Sequence, residues 1–550
     1  MGAAVPAAVT STPGITAPRE SPNAGHGCTP DIRFPEPPVP GAPLPSASEH
    51  PSPQAAGNPA APREAHQIPP ESRLVVTVLV VAAFVVILNE TIMNVALPRL
   101  MGELHVDAPT VQWLSTAFML TMSVVIPTTG YLLQRLSIRS VFVLAMSLFS
   151  AGTLLAALSP GFAILLLARV VQASGTAIMM PLLMTSVLKL IPVSRRGQVM
   201  GTVSIVISVA PAVGPTLSGI ILQYLSWRFM FLTVLPIAVA ALLFGAAKLR
   251  GAADGGRPAL DALSVLLSVP AFGGVVYGLS QLGGAGSGGL GPVLPLTVGV
   301  AALAAFVVRQ LALQRSGSPL LDLRAFSYPM YTIATALLMV GMMALFGVVI
   351  LLPLYLQQLR GLDTLGTGLL LLPGGLVMGL LAPTVGRWFD RVGPLPLTLT
   401  GTSLITAVLV GLALLTAGSS VWLAMGLHIV LSLGLALLFT PTFTSGLNPL
   451  PPHLYSHGSA ILSTLQQVAG AAGTALLVAV MAGTAHGAAS TLPPAEAAMA
   501  GFRAAFLVAA GAGAAAIVLA AFLRNRPPAE EGARADAASP ESTVSKPAHQ

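Results

Sequence analysis

About fourteen runs of roughly twenty apolar residues follow one another between residues 74 and 523, and this repetition limits the chain more than any other feature. An α-helix needs about 20 residues to cross the hydrocarbon core, where only helices and closed barrels satisfy their main-chain groups. On that length the spans fall at 74–97, 111–134, 141–158, 161–190, 198–223, 227–247 and 261–283. They continue at 290–312, 330–358, 365–386, 394–417, 420–447, 458–484 and 501–523. Charged residues make up 8% of the chain, against roughly 25% in a soluble domain, so the runs must face lipid or one another. The expected fold class is an all-α polytopic membrane protein.

The ends of the chain read differently. Residues 1–70 are crowded with Pro, Ala, Ser and Gly, hold no basic segment followed by an apolar one, and are expected to be a disordered tail rather than a secretory signal. That tail is either regulatory or dispensable, or its start is misassigned. Residues 527–550 are expected to be disordered as well. Cys28 is the only cysteine, which excludes disulfides within one chain and Cys-ligated metal sites. The net charge of +7 comes from basic residues scattered singly between apolar runs, the pattern of interfacial anchors rather than of a nucleic-acid footprint.

Basic residues also orient the spans. With both termini inside, the inner loops hold Arg135, Arg139, Lys189, Arg195, Arg196, Lys248, Arg250, Arg257, Arg309, Arg315, Arg324, Arg387 and Arg391. The outer loops and their edges hold only Arg99, Arg228, Arg360 and Arg503, so both termini are expected in the cytoplasm. Two inner turns look alike. GYLLQRLSIRS (130–140) and GRWFDRVGP (386–394) each place a Gly at a helix end with an Arg five residues later, a hint of the repeated halves seen in secondary transporters.

Ionisable groups within a span are costly and mark function by default. Three lie deep here: Glu90, Arg169 and His428. At a 1.5 Å rise per residue each sits about 10–12 Å from the outer face. At a shared depth, Glu90 and Arg169 are placed to pair across a central cavity. Burial opposes ionisation of a carboxylate and a neighbouring Arg favours it, so a Glu in such a place can load and release a proton. The two readings of Glu90 are a proton carrier or counter-charge for a cationic substrate, and one half of a structural ion pair. His428 is either a coupling group or an interhelical hydrogen-bonder. Asn89 and Thr91 flank Glu90, and Asn94 lies on its face at i+4. Gln466 and Gln467 of the thirteenth span either contact substrate or bond between helices. The fifth span reads APAVGPTLSG (210–219), whose Pro211, Gly214, Pro215 and Gly219 allow a kink or close helix approach.

Together these segments resemble the fourteen-span drug:proton antiporters of the major facilitator superfamily. LNETIMNVALP (88–98), LLLARVVQASGTA (165–177) and APAVGPTLSG resemble the family's first-, fourth- and fifth-span motifs, the last associated with exporters. SWRFMFLTVLPIA (226–238), PLLDLRAF (319–326), LLPLYLQQLRG (351–361) and LYSHGSAILSTLQQVAGA (454–471) are similar to this group as well. The resemblance covers about residues 72–525. It implies a major facilitator fold: six-helix bundles over 71–250 and 319–526, with two additional helices in 251–318 between them. It also implies gating roles for Gly130, Arg135, Arg139, Asp390 and Arg391. Departures are specific: Asn89 stands where the family usually has Asp, with Glu90 beside it, and Gln134 and Ser137 replace an Asp and a Gly. A charge latch at the inner gate is therefore expected to rest on Asp390 and Arg391 rather than on the first copy.

The resulting reading is a monomeric exporter in the cell membrane, driven by proton antiport, that takes drug-like amphipathic or cationic compounds from the cytoplasm or inner leaflet by alternating access. No cofactor is expected, and the lack of a GxxxxGK[ST] loop argues against direct ATP drive. The alternatives are an importer or facilitator of a small metabolite and, further off, a membrane-embedded lipid-modifying enzyme. An enzyme would need clustered acid, His or Cys chemistry at one interface, and His453 with His457 has no acidic neighbour in the sequence.

Overall fold

The computed structural model describes residues 69–249, 261–283, 291–316 and 319–523; both tails, Cys28, Arg250 and Arg257 lie outside them. Regular structure among the described residues is helical throughout, and fourteen helices are long and apolar enough to cross a membrane. The first six are α1 (Pro70–Leu104), α2 (Ala108–Arg135), α3 (Ile138–Ala157), α4 (Phe162–Leu190), α5 (Arg196–Tyr224) and α6 (Arg228–Lys248). A pair follows, α7 (Ala262–Gln281) and α8 (Val293–Ser316). The last six are α9 (Pro329–Gln358), α10 (Thr364–Val392), α11 (Pro394–Ala413), α12 (Val421–Leu447), α13 (Tyr455–Ala488) and α14 (Pro494–Ala521). Most helices run past the spans read from the sequence, because their end turns continue beyond the apolar stretch.

Polar side chains in the turns end the helices where hydropathy alone does not. Asp107 accepts from the Thr110 N–H, Asp261 from Ser264 and Asp363 from Gly366, each at 2.9–3.0 Å. Each satisfies one of the main-chain donors that a first turn leaves open. Proline opens α1, α9, α11 and α14, where its missing N–H costs nothing.

Helix α7 is irregular. A helix over Ala262–Ser268 passes into a π-helical turn at Val269–Gly273 and resumes at Gly274–Gly283. Pro270 lies in that turn, and the donor it lacks explains why the regular ladder yields there. Past the turn, Gly274 faces Gly299 of α8 so closely that a Cβ on either would overlap the other's main chain.

Apart from α5 and α10, which pack most on each other, helices α1–α6 pack mainly on one another, as do α9–α14, giving two six-helix bundles. They meet along two seams, α5 against α10 and α2 against α13, with α4 also touching α13 and α5 touching α12. Helix α7 lies along the second seam, contacting both α2 and α13, and Trp113 of α2 stacks on Tyr277 of α7 with ring centroids 5.6 Å apart. Contacts between the bundles concentrate at the end that carries Arg135, Arg195, Arg196 and Arg391, the basic end. At the opposite end α5 still meets α10, where Gly219 faces Leu365, while every extensive contact of α1 is with its own bundle.

Candidate functional site

Deep in the first bundle, Arg169 of α4 is 1% exposed and its guanidinium bonds through two of its nitrogens. Nη1 donates to Gln172 Oε1 at 2.6 Å and reaches Asn89 Oδ1 of α1 at 3.5 Å, while Nε reaches the Leu114 carbonyl of α2 at 3.4 Å. The ring of Phe118 lies 4.0 Å from Cζ, a cation–π contact that also shields the charge. Gln172 is held in turn by Thr153 of α3 at 2.8 Å. That reach exists because Gly152 and Gly175 let α3 and α4 touch main chain to main chain. Arg169 thus joins α1, α2 and α4.

Glu90 does not complete that knot. No ion pair within 4.0 Å links it to Arg169, and the direct pairing expected from their shared depth is replaced by neutral partners around the guanidinium. The reason is angular. Asn89, one residue earlier and turned about 100° around α1, points at Arg169, so Glu90 points elsewhere. Glu90 is half-buried, and the two charges act on each other through space.

The fifth-span motif packs against this region. Gly214 of α5 faces Thr91 of α1, whose hydroxyl bonds to the Leu88 carbonyl at 2.9 Å and the Ala210 carbonyl at 3.3 Å. A Cβ at Gly214 would overlap the Thr91 side chain, so this glycine sets how near α5 comes to the Glu90 turn. Pro211 is half-buried, and Gly219 faces Leu365 of α10 at ordinary contact distance. The side chains of Asn94 and Pro215 lie outside the described residues. On the other bundle, His428 of α12 packs on Gly374 of α10, and Gln466 and Gln467 of α13 are half-buried. The Gln466 amide nitrogen has no hydrogen-bond partner among the described residues. The structure brings none of these three into contact with Glu90 or Arg169.

The basic end is a second centre. On one seam, Gly197 of α5 abuts Asp390 and Gly386 of α10, and Gly201 abuts the main chain at Ala382 and Pro383. The Asp390 carboxylate lies against the main chain of the first turn of α5 at Gly197, a negative group at the positive end of that helix. On the other seam, Gly130 of α2 lies against Ser456, His457 and Ala460 of α13, and Gln134 bonds to Ser456 Oγ at 3.3 Å and to His457 Nε2. The two seams match: the end of the second helix of each bundle meets the start of the fifth helix of the other. One uses a carboxylate, the other a neutral amide. Arg135 bonds to the Tyr131 hydroxyl, Arg139 ties α3 to the Ala246 carbonyl of α6 at 2.8 Å, and Arg391 is exposed.

Comparison with known proteins agrees with this architecture. The family model for the Major Facilitator Superfamily matches residues 79–474. The chain belongs to the major facilitator superfamily. A relative in Bacillus subtilis (strain 168), the "Uncharacterized MFS-type transporter YcnB", is 42% identical over 444 residues, covering 81% of this chain and 93% of that protein. The "Lincomycin resistance protein LmrB" of Listeria monocytogenes serovar 1/2a is 41% identical over 407 residues, 74% of this chain and 86% of that one. The crystal structure of the human organic anion transporter MFSD10 (TETRAN) shares the fold, with a TM-score of 0.59 at 18% identity over 82% of this chain and all of its own. This facilitator is a carrier and not an enzyme.

In a facilitator the two bundles exchange which end is closed, so residues bridging them matter as much as those in the centre. Arg196 is one that counting loop charges does not reveal. It is 5% exposed and donates within its own bundle to the Leu188 and Ile191 carbonyls at 2.6 and 3.1 Å. It also crosses to Asn448 Oδ1 at 3.1 Å and the Tyr455 hydroxyl at 3.3 Å. Thr185 with Ser459 at 2.6 Å and Ser204 with Thr440 at 2.8 Å are further bridges between the bundles. Only Arg196 carried a signal in the sequence, as a second Arg in a short inner loop.

Proposed function

We propose that this facilitator exports drug-like amphipathic or cationic compounds in exchange for protons, as a monomer in the cell membrane with both termini cytoplasmic. One observation carries the reading: Glu90, a half-buried acid deep in α1, has no ion pair among the described residues, while Arg169 nearby bonds to neutral partners through Nη1 and Nε. A carboxylate so placed is free to exchange a proton with bulk water or to meet a cation. With the basic end facing the cytoplasm, the seams described there would bar the cytoplasmic side. Protons arriving from outside reach Glu90, the seams then part, and substrate binds from the cytoplasm. The bundles that rock are residues 71–250 and 319–526, with 251–318 as the joining pair. The name of the Listeria relative, a lincomycin resistance protein, supports export of drug-like compounds.

Uptake of a fluorescent lipophilic cation into inside-out vesicles tests this. Uptake is expected to need a pH gradient, to stop when the gradient is collapsed, and to be lost in Glu90→Gln but partly kept in Glu90→Asp. Transport indifferent to the gradient would sink the proton reading. Movement only down the substrate's own gradient would favour a facilitator of metabolites instead.

A further inference from the structure

The α7–α8 pair is covalently an insert between the bundles, yet a polar network leads from it to the α2–α13 seam. Asp261, just before α7, holds Arg309 of α8 through two hydrogen bonds of 2.7 Å. The same carboxylate takes the N–H and hydroxyl of Ser264. Ser264 in turn accepts from Gln310 Nε2 at 2.7 Å. Gln310 is fully buried, and its Oε1 accepts the main-chain N–H groups of both Leu320 and Leu321, at 2.8 and 3.1 Å.

Those two donors belong to an extended strap, Pro319–Asp322, that leads into α9. Leu320 and Leu321 are 2% and 3% exposed, so without Gln310 two buried donors would be left open, at roughly 1–3 kcal/mol each. The strap therefore lies where Gln310 puts it. Its continuation, the turn Leu323–Ser327, touches α13, and the Leu320 carbonyl and the Asp322 carboxylate lie near His457, whose Nδ1 makes no hydrogen bond among the described residues. Tyr331 of α9 adds a 2.8 Å bond to the Gly458 carbonyl. His457 is the residue that Gln134 of α2 grips from the other bundle.

We infer that Gln310 is a positioning residue of the gate at the basic end: by fixing the Pro319–Asp322 strap behind His457, it holds the first turn of α13 against Gly130 and Gln134 of α2. The added pair is thus a working part of the gate and not a spacer. Where the other seam has the Asp390 carboxylate on a helix end, this seam has only a neutral amide, and the strap supplies the support that the missing charge does not.

The inference rests on reading the basic end as a gate, and one set of cysteine pairs separates the two claims. In a Cys28→Ser background, Gly130→Cys with Ala460→Cys places the two Cβ atoms about 3.5 Å apart, within disulfide range. Oxidation in membranes should join α2 to α13 and stop transport; a joined protein that still transports at full rate refutes the gate itself. With the gate intact, Gln310→Leu is expected to lower the yield of that disulfide at least about fivefold. Ser264→Ala, a milder change one bond further back, is expected to lower it in the same direction. A control pair, Ser204→Cys with Thr440→Cys across α5 and α12, is expected to crosslink as before. An unchanged Gly130–Ala460 yield in the variants, or an equal fall in the control pair, overturns the role given to Gln310.

Discussion

Arg196, in the first turn of α5, donates to Asn448 at the end of α12, and the same guanidinium reaches Tyr455 at the start of α13. One side chain thus fastens four helices of two bundles at a single end, α4, α5, α12 and α13, with its stem buried and its charge spread over two main-chain carbonyls. A Lys could supply the charge but not the fan of donors.

Replacing Arg196 should therefore loosen the closed basic end. In Arg196→Ala, a cysteine at Thr185 (2% exposed, bonded to Ser459) is expected to react about tenfold faster with an impermeant maleimide in inside-out vesicles, for a loss near 1.4 kcal/mol. Arg196→Lys should lie between Ala and the native protein. Unaltered labelling in Ala would mean that Arg196 is not a latch.

Arg169→Lys keeps a positive charge near Glu90 and removes the simultaneous bonds to Gln172, Asn89 and the Leu114 carbonyl. Hydrogen bonds to charged groups contribute roughly 1.5–3 kcal/mol each, so transport should fall about tenfold or more while protein abundance in the membrane holds. Equal rates in Lys and Arg forms would show that charge alone matters there.

Two glycines should behave oppositely. Gly214→Leu drives a side chain into Thr91 and pushes α5 from the Glu90 turn; overpacking of this sort costs about 1–3 kcal/mol, and transport should be lost. Gly426 of α12 has nothing within 4 Å of where a Cβ would sit. Gly426→Ala should leave transport as it was and raise the thermal midpoint slightly, through helix propensity. Comparing the two variants' efflux rates and melting curves checks both.

Acid should act on the α7–α8 pair through Asp261. Its hydrogen bonds with Arg309, helped by those of Ser264, hold the carboxyl well below the usual carboxylate range. A depressed value in the folded state stabilises at every pH above the unfolded value of 3.8 and is lost as pH falls through the folded value. Asp261→Asn should thus melt below the native protein at pH 7 and at pH 5, and the gap should close only well under pH 3.8. A gap that closes between pH 7 and pH 5 would falsify this account.

The fourteen spans were legible because each depends on local composition alone, and a membrane leaves a long apolar run few other uses. Even the glycine-rich α7 could be found, although the π turn at Pro270 could not, since where a ladder yields depends on what packs beside it. The family and its inner turns were legible for the same reason, as short motifs in order. Pairings across the fold were not. Asn89 rather than Glu90 faces Arg169 because of a 100° rotation that no spacing between α1 and α4 encodes. Gln134 could be read as a departure from Asp, but its partner His457 lies in the other bundle and becomes a neighbour only when α2 and α13 are packed. Arg196 read as one more basic loop residue, because topology counts charges without asking what they touch.

Helices α5 and α10 meet through Gly197, Gly201, Gly379 and Gly386, and α7 lies over the other seam. Main chain lies directly on main chain at Gly201 and Gly386, and the opposite flank has a helix for a shutter. A solute dissolved in the bilayer would meet a glycine-lined helix join on one flank and a covering helix on the other. Where two helices touch through glycine main chain, the wall has no side chain there with which to hold a passing ligand.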